Sequence, residues 1–282
     1  MNASSAPPAT ETNAISVSVV VYRPEPSQLR HTLDSLRAAV DALRAIRPDF
    51  VAELFIVDNG GLSDAVIDLA PLRRRGFRLS VIAGHGNVGY GRGHNLAIER
   101  ASSRFHLVLN PDIDLDREAL IQAFDFFEQH PEAGLLTPRI GDERGHLQYL
   151  CRRYPTLLDL LIRGFLPHHV RQLFSIRLAA YEMRDLINER DIVWDPPIVS
   201  GCFMFFRTSV LKRLAGFDPR YFLYFEDYDL SLRTHELARV VYAPTVRVLH
   251  HGGGAARKGS AHIRMFTASA VKFFNRFGWK WL

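Results

Sequence analysis

The sequence predicts an α/β fold in which a mostly parallel central sheet has helices on both faces. The first observation is that apolar runs rich in β-branched residues alternate with amphipathic stretches, as in a sheet whose strands are joined by helices. The second is that these runs are continuous, because a strand covered on both faces has no polar side. With 282 residues, 47% of them hydrophobic, the chain can bury a full core.

The first predicted unit is a strand at residues 15–22 (ISVSVVVY), followed by a helix in which leucine and valine recur every three or four residues. Ser27 is the predicted N-cap of that helix. The second unit has a strand at residues 52–61, which contains Asp58, and a helix-like stretch to about Arg75. The order strand, helix, strand implies parallel neighbours in one sheet.

Two further units follow. A strand at residues 77–84 leads into a glycine-rich loop and a helix from about Arg92. A strand at residues 104–110 leads into a group of aspartates and a helix from about Arg117. Ligands of open α/β sheets bind beyond the carboxyl ends of the strands. The sequence therefore predicts a site where Asp58, the glycine-rich loop and the aspartates meet.

The alternation stops at about residues 152–197, where two or three helices are predicted as an insertion beside the sheet. It then returns, and the chain closes with a predicted amphipathic helix at about residues 261–277. The predicted organisation is a disordered leader (1–14), one folded domain (15–255) that contains the insertion, and a basic amphipathic C-terminal helix (256–282).

Charge and cysteine content narrow the functional classes. The net charge is +5, and no acidic residue follows Glu236, which predicts either an anionic partner or a solvated basic face. The two cysteines, Cys151 and Cys202, have no metal-type spacing and favour a reducing compartment. The leader lacks the apolar segment of a signal peptide. No uninterrupted apolar run approaches the roughly 20 residues that span a bilayer, which favours a soluble or surface-bound protein.

Three aspartates follow the fourth predicted strand at alternating positions, in the stretch LVLNPDIDLD at residues 107–116. Several carboxylates in one cleft repel one another unless a cation or protons intervene. Hard oxygen donors suit Mg²⁺ or Mn²⁺, which keep open positions for substrate phosphates. Asp112 and Asp114 are therefore candidates for a metal site, with turn formation as the alternative. Asp116 is better explained as a helix N-cap.

A second acidic group, in the stretch FEDYD, follows an aromatic run at the start of a predicted helix. Capping explains one or two of these carboxylates, because acidic residues at a helix N-terminus gain from the macrodipole. Capping does not explain the aromatic approach, which is typical of a sugar-binding or desolvated pocket with one carboxylate as general base. His250 and His251 end a later strand, and a neutral imidazole is a common metal ligand.

The glycine-rich loop allows a rival interpretation. Gly84, Gly86 and Gly89 have the G-x-G-x-x-G spacing of a dinucleotide-binding loop, with an acidic residue about twenty positions further on. That spacing predicts an NAD-dependent oxidoreductase. Against it, Gly91 and Gly93 are expected to delay the helix, and a nicotinamide site has no use for two acidic groups. A third hypothesis is a non-catalytic protein that binds a surface through its basic tail.

Together these motifs resemble those of the family 2 glycosyltransferases, inverting enzymes of the GT-A fold, and in particular their rhamnosyltransferase-like branch. The resemblance extends over about residues 15–252. The matching stretches, in the family's order, are VSVVVYRP, FIVDNGG, GNVGYGRGHNLAI, LVLNPDIDL, VSGCFMFF, GFDPRYFLYFEDYDLSLR and APTVRVLHHGG. This chain has DNGG and AGFD where many relatives have DNGS and GGFD, and neither change removes a carboxylate or a metal ligand.

The resemblance implies a role for each matching residue. Asp227 is the implied general base, and Glu226 beside it holds the acceptor. Asp114 and His250 are the implied ligands of Mg²⁺ or Mn²⁺. Trp194, in the insertion, is a second candidate for the acceptor site. The residues implied at the nucleotide-sugar are Tyr22 and Asp58 at the base, Asn87, Gly89 and Asn95 in the loop over the donor, and Asp112 towards the ribose and diphosphate.

The resemblance also implies an activity: metal-dependent transfer of a sugar, with inversion, from a nucleotide-sugar to a glycan or lipid-linked glycan. Kinship with the branch favours rhamnose from dTDP-rhamnose, and no nucleic acid partner is expected. An anionic membrane surface is a further candidate partner, because the C-terminal helix has phenylalanines on one stripe and basic residues elsewhere. Docking of that helix on the core is the alternative. The expected location is the cytoplasm, with a peripheral position on the inner face of the cell membrane where the tail binds lipid.

Overall fold

The computed structural model describes residues 11–62, 67–251 and 260–282. In this part of the chain nine strands form one mixed sheet in the order β3-β2-β1-β4-β8-β6-β9-β5, with β7 beside β9. The strands are β1 Glu11–Val21, β2 Val51–Asp58, β3 Phe77–Ile82, β4 Ser103–Leu109, β5 Ile113–Leu115, β6 Ala133–Gly141, β7 Val193–Trp194, β8 Phe203–Arg207 and β9 Arg239–His250.

The predicted mostly parallel sheet is confirmed. The four longest pairings are parallel, namely β1 with β2, β1 with β4, β2 with β3 and β6 with β9. The shorter pairings of β5, β7 and β8 are antiparallel. Because parallel strands end at a common edge, β1, β2 and β4 deliver the residues that follow them to one place.

Ten helices lie in the described residues: α1 Pro26–Ile46, α2 Ala70–Arg74, α3 Tyr90–Ile98, α4 Ala119–Gln129, α5 Leu157–Phe165, α6 His168–Gln172, α7 Ser175–Tyr181, α8 Thr208–Arg213, α9 Glu226–Thr234 and α10 Ser260–Phe277. They cover both faces of the sheet. Leu107 and Leu109 of β4 pack into the cluster of α1 and α4, whereas Val108 between them packs with α8 and α9. This alternation explains why β4 has an unbroken apolar sequence.

The N-terminal boundaries differ from the predicted ones. Strand β1 begins at Glu11, so the last part of the predicted leader (11–14) belongs to the sheet, and residues 1–10 lie outside the described residues. The N-cap of α1 is Glu25 and not Ser27. The Glu25 carboxylate accepts the backbone N–H groups of Ser27 at 3.2 Å and Gln28 at 2.7 Å. Because the cap is Glu25, the helix begins at Pro26, two residues earlier than a cap at Ser27 would place it.

The glycines at 91 and 93 do not delay the helix, because α3 begins at Tyr90 and contains both. They are there for close packing. A Cβ on Gly91 would lie 2.7 Å from the Phe217 side chain, and one on Gly93 would lie 2.9 Å from Val20. The expectation of a longer loop was therefore wrong, since small size and not backbone freedom is what these two positions require.

The insertion contains three short helices, α5 to α7. The C-terminal helix α10 is docked on the fold: Ala270, Phe273 and Phe274 are buried in a cluster with Tyr221 and Phe225. The phenylalanine stripe that suggested membrane binding therefore faces the core, and the docking alternative is the correct one for this face. Within the described ranges, no helix has the length and apolar character needed to cross a bilayer.

Candidate active site

The edge formed by β1 and β2 presents an aromatic ring and a tight turn. Tyr22 directly follows β1 and is 51% exposed. The Asp58 carboxylate at the end of β2 accepts the backbone N–H groups of Gly60 at 2.8 Å and Leu62 at 3.2 Å. The Gly60 backbone in turn lies against the Tyr22 ring. Asp58 therefore shapes a turn beneath an exposed ring, an arrangement that suits stacking of a flat base.

The glycine-rich loop is fixed against the loop before α9. Gly89 has φ 90°, and a Cβ there would lie 2.2 Å from the Phe222 carbonyl oxygen. The N–H of Tyr90, the first residue of α3, donates to that same oxygen at 3.0 Å. In a dinucleotide site the first N–H groups of this helix would face the pyrophosphate. Here the Tyr90 N–H is already bonded, which disfavours the NAD interpretation.

Two residues that the sequence did not single out also hold this loop. Asn59 is buried, and its Nδ2 donates to the Gly89 carbonyl at 3.0 Å. His85 Nε2 lies 3.1 Å from Asn59 Oδ1, within hydrogen-bonding distance. Asn87 Oδ1 accepts the Gly89 N–H at 3.0 Å. Asn59 could have been identified from the sequence, because it is a polar residue directly after Asp58 at the end of a strand.

The side-chain amide of Asn95 is hydrogen-bonded and therefore positions the backbone near it. Its Nδ2 donates to the Phe217 carbonyl at 2.7 Å, and its Oδ1 accepts the Phe217 N–H at 2.8 Å. Both ends of the side chain are therefore bonded to one backbone segment. The structure places Asn95 behind the loop that it was predicted to form, where it anchors α3 to the segment leading towards α9.

The D-x-D motif lies where β5 pairs with β9. Asp112 Oδ2 is 3.5 Å from His250 Nε2, and Asp114 Oδ2 is 2.8 Å from His251 Nε2. Burial would raise the pKa of Asp112, but the hydrogen bond and charge of His250 outweigh burial and lower it. Asp114 and His250 were predicted to bind one metal ion. In the structure Asp114 is paired with His251, and His250 is paired with Asp112.

The donor set at this motif fits a divalent cation that also binds substrate. Asp112 Oδ1 and Asp114 Oδ1 are buried and have no hydrogen-bond partner. Orphaned carboxylate oxygens are hard ligands of the kind that Mg²⁺ and Mn²⁺ prefer. In the described part of the chain, no group of three or more acidic, histidine or cysteine side chains is arranged to hold a metal ion. The arrangement therefore suits an open site in which phosphate oxygens complete the coordination.

The second acidic pair begins α9 after a sharp turn. Tyr224 and Phe225 both have positive φ, 71° and 66°, which is uncommon for bulky residues and turns the chain into the helix. Glu226 is buried, and its Oε2 has no partner. Asp227 is partly accessible and accepts the N–H of Gly201 at 2.9 Å through Oδ2. The two adjacent carboxylates therefore have different surroundings.

These surroundings separate the proton affinities of the pair. Burial, followed by the charge of Asp227, raises the pKa of Glu226 to about 8. Burial also raises the pKa of Asp227, but the backbone N–H groups of Gly201 and Tyr228 oppose that rise. The proton that the pair binds is therefore held mainly by Glu226, because the Asp227 carboxylate has two backbone N–H partners and Glu226 Oε2 has none.

Tyr90 lies near the second acidic group and was missed by the sequence analysis. Its hydroxyl donates to the Gly201 carbonyl at 2.6 Å, and the same glycine donates its N–H to Asp227. Burial raises the pKa of Tyr90 well above its usual range, and the charges of Cys202, Glu226, Asp227 and Asp112 add to this effect. The acidic groups thus converge around one hydroxyl.

Trp194 does not join this site. It pairs with Val241 in β9 and packs against Phe126 of α4 and against His130, the residue after that helix. Along β9, Val241 precedes the Asp114 partner Leu249 by eight residues, about 26 Å at the usual rise per strand residue. The structure therefore places Trp194 away from the acidic groups, and its role as an acceptor residue stays a prediction.

Comparisons with known proteins agree with this geometry. Residues 16–215 match the family described as Glycosyl transferase family 2. An N-acetylglucosaminyl-diphospho-decaprenol L-rhamnosyltransferase of Mycobacterium tuberculosis is 30% identical over 279 residues, which cover 93% of this chain and 84% of the relative. Rhamnosyltransferase WbbL of Escherichia coli is 28% identical over 182 residues, which cover 61% of this chain and 64% of the relative.

Solved structures share the fold at low sequence identity. TarS of S. aureus in complex with UDP aligns with a TM-score of 0.56 and 18% identity, over 93% of this chain and 65% of that one. GalNAc-T7 with UDP, GalNAc and Mn²⁺ aligns with a TM-score of 0.64 and 13% identity, over 94% of this chain and 48% of that one. The expected GT-A architecture is confirmed.

Proposed function

The chain belongs to glycosyl transferase family 2, and we propose that it is an inverting, metal-dependent enzyme that transfers a sugar from a nucleotide-sugar to a lipid-linked glycan. The favoured donor is dTDP-rhamnose. The relative from Mycobacterium tuberculosis, named as a rhamnosyltransferase of an N-acetylglucosaminyl-diphospho-decaprenol, supports this choice of sugar and acceptor class.

One observation supports the proposal most strongly: both acidic groups converge on Tyr90. The charges of Asp112, Glu226 and Asp227 all act on its hydroxyl. One group has orphaned carboxylate oxygens suited to a cation and diphosphate, and the other has two carboxylates with separated proton affinities. A transferase needs these two functions side by side, one for the leaving group and one for the nucleophile.

On the acceptor side, Asp227 takes the proton of the attacking hydroxyl. It is partly accessible, and the Gly201 N–H and the Tyr228 N–H hold its two oxygens in place. As the acceptor oxygen forms its bond to the anomeric carbon, the bond to the diphosphate breaks on the opposite face and the proton passes to Asp227. Glu226, protonated near neutral pH, donates a hydrogen bond that orients the acceptor.

On the donor side, Tyr22 stacks on the base above the turn that Asp58 shapes. Asp114 and His250 would hold the cation, which supplies positive charge to the leaving diphosphate when bound, and Asp112 lies towards the ribose and diphosphate. The loop at Asn87 and Gly89 closes over the donor, with Asn95 fixing its rear. The nature of the ion, Mg²⁺ or Mn²⁺, belongs to the proposal; the structural neighbour that binds Mn²⁺ supports a divalent cation.

Both cysteines are free and buried, which agrees with a reducing compartment. We place the enzyme in the cytoplasm, where Cys151 and Cys202 stay reduced.

A thermal-shift screen tests the donor assignment. Nucleotide-sugars with Mn²⁺ or Mg²⁺ should raise the melting temperature of the wild type, because a ligand bound only to the folded state stabilises it. Asp114→Ala should lose that rise, and Asp116→Ala, an exposed aspartate of the same stretch, should keep it. Equal stabilisation of Asp114→Ala and wild type would contradict the D-x-D assignment. Stabilisation by NAD without metal would revive the oxidoreductase interpretation.

A further inference from the structure

The insertion and the C-terminus expose several large apolar side chains. Leu173 is 82% exposed, Ile176 is 86% exposed and Trp281 is 68% exposed. Helix α5 is amphipathic. Leu161 and Phe165, which are one turn apart on it, are nevertheless both exposed. Single exposed apolar residues need no explanation, but a contiguous group on a water-soluble domain marks an interaction site.

These side chains belong to one connected piece of structure. The backbone N–H of Leu157 donates to the Lys280 carbonyl at 2.9 Å, which ties the start of α5 to the C-terminal residues. Arg177 Nε of α7 donates to Asp159 Oδ1 of α5 at 2.6 Å. We name this area the insertion surface, and its apolar members are Leu161, Phe165, Leu173, Ile176, Trp279 and Trp281.

Between residues 155 and 180 the insertion surface contains more basic than acidic residues. From residue 155 to residue 180 the sequence contains one acidic residue, Asp159, which is buried and ion-paired with Arg177. No acidic residue follows Glu236. Arg163 of α5 pairs with Glu182 at 3.6 Å and still has 43% of its side chain exposed, and Lys280 is exposed beside the two tryptophans. Apolar, aromatic and basic side chains together suit the interface of an anionic bilayer.

The inner side of the insertion reaches the acceptor side of the site. Tyr181 of α7 bonds through its hydroxyl to that of Tyr228 at 2.8 Å, and Tyr228 follows Asp227 in α9. The charge of Asp227 also acts on Arg163 of α5. Helix α7 therefore contacts the catalytic helix on one side and exposes Ile176 on the other.

We propose that the insertion surface docks the enzyme on an anionic phospholipid membrane. The link to a lipid-linked acceptor rests on the proposed function, whereas the docking itself does not. A second copy of the chain is the less favourable occupant, because a two-fold contact of this surface with itself would bring its basic residues together. The membrane contact thus comes from α5 to α7 and the C-terminal tryptophans, while the apolar stripe of α10 packs on the core.

Vesicle sedimentation of the full-length protein tests the proposal. The probes are vesicles of phosphatidylcholine and vesicles of phosphatidylcholine mixed with phosphatidylglycerol, without donor or acceptor. The test variant is Leu173→Ser with Ile176→Ser, since both side chains are exposed and their loss should not unfold the protein. The matched control is Ile46→Ser with Val81→Ser, two exposed apolar residues on α1 and β3.

We expect the wild type and the control to sediment with the mixed vesicles and much less with pure phosphatidylcholine. The test variant should bind the mixed vesicles about 10- to 100-fold more weakly. Equal binding of test variant and wild type, or no binding of the wild type, would overturn the proposal. A dimer that the test variant converts to monomer, with vesicle binding unchanged, would also overturn it and assign the surface to a second copy.

The measurement is separate from the test of the proposed function. Transfer to a short, water-soluble acceptor analogue should be unchanged in the test variant, because neither serine replaces a residue of the site. If the wild type sediments with anionic vesicles but transfers no sugar, the docking stands and the proposed function fails. If it transfers sugar but does not sediment, the docking fails and the proposed function stands.

Discussion

Glu226 gives the sharpest prediction about stability, because it is a buried carboxyl group with an unpartnered oxygen. Folding raises its pKa from an ordinary value of 4.5 to about 8. The folded protein therefore binds this proton more tightly than the unfolded chain does. Its contribution to the free energy of unfolding is constant below about pH 4.5, falls as the pH rises, and is lost above about pH 8.

The size of the effect follows from the pKa difference. The rise corresponds to about 3.5 pH units, and each is worth about 1.4 kcal/mol, which sets an upper limit of about 5 kcal/mol. Part of this free energy belongs to Asp227, because burial also raises the pKa of its carboxyl group. Glu226→Gln keeps the size of the protonated side chain and cannot ionise. The variant should therefore gain stability over wild type as the pH rises.

The assay is thermal unfolding of wild type and Glu226→Gln from about pH 5 to about pH 8.5. The two melting temperatures should nearly coincide at the acid end, and the variant should be higher by several degrees at the basic end. Glu99→Gln, which changes an exposed carboxylate at the end of α3, should follow the wild type at every pH. Parallel curves for wild type and Glu226→Gln would refute the burial argument.

Three further predictions concern packing and positioning. Tyr90→Phe should slow transfer about 10-fold with unchanged donor affinity, because it removes the hydroxyl that bonds to Gly201 beside the general base Asp227. Transfer at the wild-type rate would contradict this. Phe273→Ala should lower the free energy of unfolding by about 3 to 5 kcal/mol, and Ile263→Ala, exposed on the same helix, by less than about 1; equal losses in denaturant melts would contradict the docking of α10. Gly91→Ala should cost about 1 to 3 kcal/mol despite the better helix propensity of alanine, since its Cβ would lie 2.7 Å from a phenylalanine side chain, and a more stable variant would contradict the packing role.

The sequence pattern within single segments predicted the buried strands and the aspartates that follow one of them. The unbroken apolar runs of β1 and β4 identified strands covered on both faces, and the structure confirms this. The aspartates at 112 and 114 were placed at a strand end because strands stop where polar residues begin. These inferences need only the periodicity of one segment and the rule that parallel strands share an edge.

The remaining features depend on contacts between distant segments. The position of Trp194 could not be predicted, because its strand pairs with β9, some fifty residues further along, and no local pattern reveals such a partner. Tyr90 was missed because its hydroxyl bonds to Gly201, more than a hundred residues away. The pairing of Asp114 with His251 also arises from strand register, which one residue of shift would change.

The C-terminal helix shows a different limit. An amphipathic stripe predicts a helix with one apolar face, but the same stripe fits a membrane surface and a protein core. The choice is made by what lies opposite: Phe273 and Phe274 meet Tyr221 and Phe225, and Arg276 pairs with Asp218. Removal of residues after about 258 should therefore unfold the protein, whereas membrane docking of this stripe would have left it folded.

Single-turnover transfer by wild type, Asp227→Asn and Glu226→Gln, each with its donor affinity, tests the central claim most directly. Asparagine keeps an oxygen that can accept the Gly201 N–H but removes the proton acceptor, so the chemical step should slow by about 10²- to 10⁴-fold with donor affinity unchanged. Glu226→Gln should retain most of the rate, because its protonated form already acts as a hydrogen-bond donor. Near-normal transfer by Asp227→Asn, with loss of transfer in Glu226→Gln, would contradict the account and make Glu226 the base.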